Sequence, residues 1–204
     1  NQFDTVYHEH FSYLSLFSVN RIFSKAGLRV YDLEQLPTHG GSLRIYGCHA
    51  KETIQTKSSV KALLEEEIDK GMQSLEIYQA FQLKANRVKN DLLFFLIEQK
   101  NAGKSVAAYG AAAKGCTLLN YAGIKPDLLP YVCDASQSKQ GKFLPGSHIP
   151  ILHPDILFER KPDIVLILPW NIQSEIIQQL SYVHEWGGVF AVAIPEIKVL
   201  QVNN

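Results

Sequence analysis

Four consecutive residues, Tyr7-His8-Glu9-His10, place a phenol, two imidazoles and a carboxylate side by side. All three types move protons. Histidine titrates nearest neutral pH, and a neighbouring carboxylate fixes its tautomer and raises its basicity. The cluster lies in the stretch Phe3 to Leu16, FDTVYHEHFSYLSL, with no helix signal before His10 and an apolar, aromatic run after it. That is the layout of a loop entering a helix. Extended backbone would put Tyr7 and Glu9 on one side and His8 and His10 on the other. A helix-entry loop with satisfied histidines is the structural reading, and a proton-transfer site is the functional one.

The elements that must position this cluster follow from pattern. A chain of 204 residues with 46% apolar and 20% charged residues is one large domain or two small ones. The formal net charge is zero, which points away from nucleic acid and anionic membrane surfaces as partners. Cys48, Cys116 and Cys133 are too widely spaced for a zinc pattern or a disulfide framework, which fits a reducing cytoplasm. No apolar run reaches membrane length, and no leader pattern opens the chain. Beginning at Asn1 without a methionine, it reads as a piece of something longer.

Residues 11–26 read as an amphipathic helix stopped by Gly27. Residues 28–36 alternate as a strand ended by Pro37. Gly40 and Gly41 punctuate a turn, and residues 42–49 form a second strand, paired antiparallel with the first. Residues 56–101 are helical, with Ser58 or Ser59 as cap, Glu65 to Glu67 in early turns on a solvated face and Gly71 as a candidate break. The stretch reads either as two helices or as one long connector. From Gly103 onward short apolar strands alternate with helices: strands at 105–109, 131–133, 164–168 and 189–194, a turn at 110–115 into a helix running to about 122, and helices at 154–158 and 171–184, the last capped by Asn171. This alternation predicts a parallel, doubly wound sheet with ligands beyond the carboxyl ends of its strands.

The turn Tyr109-Gly110-Ala111-Ala112-Ala113-Lys114-Gly115 is small enough for backbone amides to approach a phosphate at a helix start, with Lys114 as added charge. Its spacing is neither GxGxxG nor the P-loop. Close helix-strand packing explains the same small residues. Asp134, at the end of the next strand, stands where an acidic residue meets ribose in a dinucleotide fold, and Lys142 in QGKFLPG is a further candidate phosphate contact.

Five segments in order, FDTVYHEHFSYLSL, LPTHGGSLRIYG, AAYGAAAKG, SKQGKFLPGSHIPI and LILPWN, resemble the S-adenosylmethionine-dependent sugar C-methyltransferases, which methylate C3 of nucleotide-linked 4-keto-6-deoxyhexoses. The resemblance covers essentially the whole chain. It implies that residues 1–50 are the tail of a class I methyltransferase domain, contributing a helix and the antiparallel strand pair. Residues 51–204 are then a Rossmann-like C-terminal domain, with a helical connector at 56–101 and an α/β core at 104–204. The fold class implied is α/β: a Rossmann-like parallel sheet with flanking helices, preceded by a long helix and the strand pair. The family's zinc cysteines and cofactor loop have no counterpart here, so no metal site and no bound S-adenosylmethionine are expected in this piece, and it should not methylate alone.

By the same resemblance His10 matches the general base, and Tyr7 and Glu9 its companions at the substrate. His8 has no proton-transfer role. His39 and Arg44, in the Thr38–Arg44 segment, match the lining of the substrate cleft, and Gly110, Lys114 and Lys142 are candidate contacts to a nucleotide diphosphate sugar. The competing reading is a Rossmann-like module that binds a nucleotide or dinucleotide without chemistry, or serves architecture alone.

Overall fold

The computed structural model describes residues 2–200. They form two compact units. One comprises residues 2–10 with 83–200, and the other residues 11–82.

The 11–82 unit begins with helix α1, Leu16–Lys25. The apolar run from Phe11 predicts an earlier start, but Phe11 is 95% exposed. Capping decides the boundary. Ser15 accepts a bond from the Ser18 N–H at 3.2 Å. The buried Glu67 carboxylate accepts from the N–H groups of Leu16 at 2.6 Å and Phe17 at 2.9 Å. A carboxylate at that end satisfies orphan donors and complements the helix dipole. Strands β1 (Leu28–Leu36) and β2 (Ser42–His49) pair antiparallel, as the alternation predicts. A register shift between Val30 and Asp32 breaks the strict alternation, so Val30 and Leu33 are both buried although three residues apart. With Leu16 and Val60 they form this unit's core.

Helix α2 spans Ser58–Asp69 and helix α3 Leu75–Asn101. The long helical pattern is therefore two helices, broken at Gly71, whose φ of +72° suits glycine and ends a helix. Two readings of this stretch need correction. Neither Ser58 nor Ser59 caps α2; the Ser59 hydroxyl donates to Asp32 at 3.1 Å. Glu67 is not on a solvated face but buried, capping another helix.

In the other unit, Ala85, Val88, Leu92, Phe95 and Leu96 of α3 enter a large core. The sheet is built from β3 (Val106–Tyr109), β4 (Val132–Cys133), β5 (Ile151–Leu152), β6 (Ile164–Ile167), β7 (Val189–Val192) and β8 (Lys198–Leu200), in the order β5-β4-β3-β6-β7-β8. The first five strands are parallel, and β8 adds antiparallel to β7. The pure apolar runs are explained by burial on both faces. Val106 and Ala108 join one core cluster while Ala107 and Tyr109 join another, and Ile164 and Leu166 face away from Val165 and Ile167 in the same way. Helices α4 (Ala113–Ala122), α5 (Asp155–Arg160) and α6 (Gln173–Gln179) flank the sheet. Strand β8 lies beyond the strand expected to be last. The helix expected at 171–184 is instead a 3-10 turn, the short α6 and a second 3-10 segment. Asn171 does not cap it.

Glu67 gives the fold its sharpest stability test. Glu67→Ala leaves two helix N–H groups without their acceptor in a buried place, and thermal melts should show a loss of about 2–3 kcal/mol. Glu67→Gln, which keeps one acceptor, should lose less.

Candidate functional site

The segment from Phe3 to His10 is folded, not extended. Phe3–Thr5 make a 3-10 turn, closed by bonds from Thr5 N–H to the Gln2 carbonyl and from Val6 N–H to the Phe3 carbonyl, each 3.0 Å. A second turn follows, in which the His10 N–H donates to the Tyr7 carbonyl at 2.9 Å. This overturns the alternation expected for residues 7–10. Tyr7 and His10 lie together, ring centroids 4.2 Å apart and tilted by 35°. Tyr7 is half-buried and His10 exposed.

The imidazole of His10 has a defined tautomer. Its Nδ1 is 2.8 Å from the Thr5 carbonyl oxygen. A carbonyl only accepts, so Nδ1 carries the hydrogen and the neutral ring has its basic lone pair on Nε2. Such an arrangement can remove a proton from a bound substrate at Nε2. Glu9 and His8 are exposed, with His8 Nε2 3.9 Å from Glu9 Oε1, and an exposed pair at that distance contributes little stability.

What holds this turn is a pair of buried side chains that the sequence reading did not single out. Phe3 is buried and meets Tyr121 edge-on at 5.1 Å. Asp4 is 1% exposed, and its Oδ2 accepts the Trp170 indole N–H at 2.7 Å. Lys114, also buried, lies over the Trp170 ring at 4.8 Å and donates to Asn171 Oδ1 at 3.1 Å. Burial pushes the Asp4 carboxyl above its ordinary 3.8, against the Trp170 bond and the charge of Lys114. Burial likewise lowers the Lys114 ammonium, against the charge of Asp4. The signals were faint: Asp4 sits in the proton-transfer stretch and Trp170-Asn171 in LILPWN, but neither carries a spacing rule.

The turn after β3 is tightly committed inside the protein. The N–H groups of Gly110, Ala111, Ala112 and Cys116 donate to Cys133 O, Asp134 Oδ2, Gly110 O and Ala112 O respectively. Gly110 has φ of +91°, and a Cβ there would come within 2.5 Å of Pro169 Cδ. A Cβ at Gly115 would come within 2.8 Å of Leu168 Cδ1. Asp134 also accepts from the Ser136 N–H at 2.8 Å and from Lys139 at 3.1 Å. Lys142 is exposed on its loop.

In the 11–82 unit, His39 lies on the exposed turn between β1 and β2, in the left-handed region with φ of +57°. That conformation is uncommon outside glycine. Arg44, on β2, donates to Glu34 Oε2 at 3.0 Å across the strand pair. A groove of about 540 Å³ beside this turn is lined by Leu14, Val19, Leu36, Gly41, Ser42 and Ile45, among others. Among the described residues no group of His, Cys, Asp and Glu is placed to hold a metal ion, and no helix is long and apolar enough to cross a membrane.

Residues 37–195 match the profile of the C-methyltransferase C-terminal domain family. The chain is 38% identical over 204 residues to C-methyltransferase NovU of Streptomyces niveus. The match covers 100% of this chain and 49% of that protein, so the chain spans about half of its relative's length.

The shift at Asp4 has a stability consequence. Its folded-state affinity for a proton is raised, so the ionised carboxylate costs stability at neutral pH. That cost fades as pH falls through the raised folded value toward the ordinary 3.8. Melting curves at neutral pH and near pH 4 should show the parent gaining on Asp4→Asn in acid. Curves that stay parallel would contradict the buried, ionisable Asp4.

Proposed function

Because the chain belongs to the C-methyltransferase C-terminal domain family, we propose that it is part of an S-adenosylmethionine-dependent C-methyltransferase. The proposed substrate is a nucleotide-linked 4-keto-6-deoxy sugar, methylated at C3. The observation that carries this reading is the His10 tautomer, with Nδ1 bonded to the Thr5 carbonyl and Nε2 left as the basic atom.

A C–H next to a ketone is weakly acidic, and its removal needs a positioned base and a donor for the developing enolate oxygen. His10 Nε2 takes the C3 proton. The electron pair of that bond moves toward the C4 carbonyl, whose oxygen becomes the oxyanion. Tyr7, against the His10 ring, is the donor to it, and Glu9 binds a sugar hydroxyl. His39 and Arg44 are proposed as substrate-binding residues within the 11–82 unit, and Lys142 as a contact to the diphosphate. Gly110 serves the turn that begins α4.

S-adenosylmethionine, when bound to the intact enzyme, supplies the electrophilic methyl group. The turn after β3 does not fit that cofactor, since the N–H groups of Gly110, Ala111 and Ala112 are bonded internally and Pro169 closes over Gly110. No step through the cofactor is assigned to these residues. Calorimetric titration of residues 1–204 with S-adenosylmethionine should accordingly give no binding heat, and micromolar affinity would contradict the assignment. A cytoplasmic setting is part of the same proposal.

The base is tested in the intact enzyme by exchange of the C3 proton in deuterated buffer without methyl donor, followed by NMR. His10→Asn should lose exchange and methylation together, by roughly 10²-fold or more, the scale of a general base. Tyr7→Phe should slow exchange as well, and His8→Asn should have a milder effect. Exchange at the parental rate in His10→Asn would remove it as the base.

A further inference from the structure

In the order β5-β4-β3-β6-β7 the succession of parallel strands reverses between β3 and β6. Open α/β sheets bind ligands beyond the strand ends at such a switch point. Two loops leave the strands there, the Gly110 turn and the Leu168–Asn171 segment. Both meet the chain's own first turn. Phe3 belongs to the same buried cluster as Ala111, Leu118 and Leu168. The Asp4 carboxylate accepts the Trp170 indole N–H at 2.7 Å and faces the charge of Lys114, on the first turn of α4. A donor N–H and a lysine at a helix start are what this place in the fold would offer to a nucleotide phosphate. The anion held there belongs to the protein.

We propose that the switch-point crevice is a socket for Asp4, and that Asp4, Trp170 and Lys114 are positioning residues for the Tyr7–His10 turn. The path is short. Thr5, directly after Asp4, presents the carbonyl that receives both the Tyr7 N–H at 3.1 Å and His10 Nδ1 at 2.8 Å. Fixing Asp4 therefore fixes the atom that sets the direction of the imidazole. The second Asp4 oxygen, Oδ1, is buried with no hydrogen-bond partner among the described residues. An incompletely satisfied buried carboxylate costs stability that an apolar side chain would not. What it gains is one defined orientation for the turn. Lys114, expected as a phosphate contact, is here the cation of the socket.

The inference rests on the reading of His10 as base, and the test separates the two. In the intact enzyme Trp170→Phe removes the N–H donor and keeps an aromatic ring. Turnover should fall about tenfold or more, as small misplacements of a reacting group do, with KM for the nucleotide sugar changed by less than about twofold. The imidazole ¹⁵N signals of His10 should move toward a mixture of tautomers. Asp4→Asn, which keeps an acceptor for the indole, should retain more turnover than Asp4→Leu. Unchanged His10 signals in Trp170→Phe would overturn the socket, whatever the rate. A KM that rises in step with the loss of turnover would also overturn it, because Trp170 would then be a substrate contact. Signals that move while turnover stays parental would uphold the socket and remove His10 as the base.

Discussion

One hydrogen bond, from the Trp170 indole to the Asp4 carboxylate at 2.7 Å, joins residues 166 positions apart. A charge-assisted bond in a buried place is strong, but a carboxylate taken out of water resists burial, and here one oxygen has no hydrogen-bond partner among the described residues. Lys114 offsets part of that cost and is itself desolvated. The three groups are therefore interdependent: removing one leaves a buried charge or donor facing nothing. Such a cluster contributes little net stability. It selects one geometry for the six residues that follow Asp4.

The α/β unit is shaped to present this cluster. Strands buried on both faces form the sheet, and the loops after β3 and β6 leave it at its switch point. Gly110 lets the chain turn beneath Pro169, and Gly115 lets α4 approach Leu168. These small residues resemble a phosphate loop in composition. The amides of Gly110, Ala111 and Ala112, however, are occupied by Cys133, Asp134 and the Gly110 carbonyl, so the same composition serves close packing.

Much of this was legible in the sequence because the signals were periodic. The strand pair, the break at Gly71 and the parallel α/β alternation follow from patterns that local backbone physics enforces. The misses share another cause. The start of α1 is set by Glu67, half a hundred residues away, and the β1 bulge shifts which residues face the core; neither leaves a local trace. Asn171 has the composition of a helix cap, yet its side chain accepts from Lys114. For the candidate site, residue types pointed to Tyr7, Glu9 and His10, but alternation misjudged their arrangement because the segment turns instead of extending. Asp4 and Trp170 were invisible as a pair, since nothing in a sequence marks two residues that meet only after the sheet has formed.

The indole proton of Trp170 reports the central contact most directly. In a ¹⁵N-resolved spectrum of the intact protein it should lie well downfield of the Trp186 indole, whose N–H donates to the neutral Pro162 carbonyl at 3.0 Å. It should also exchange slowly with solvent and lose its downfield position in Asp4→Leu. A Trp170 indole signal at ordinary position that exchanges freely in the parent protein would contradict the account, because the turn bearing His10 would then have no fixed attachment to the α/β unit.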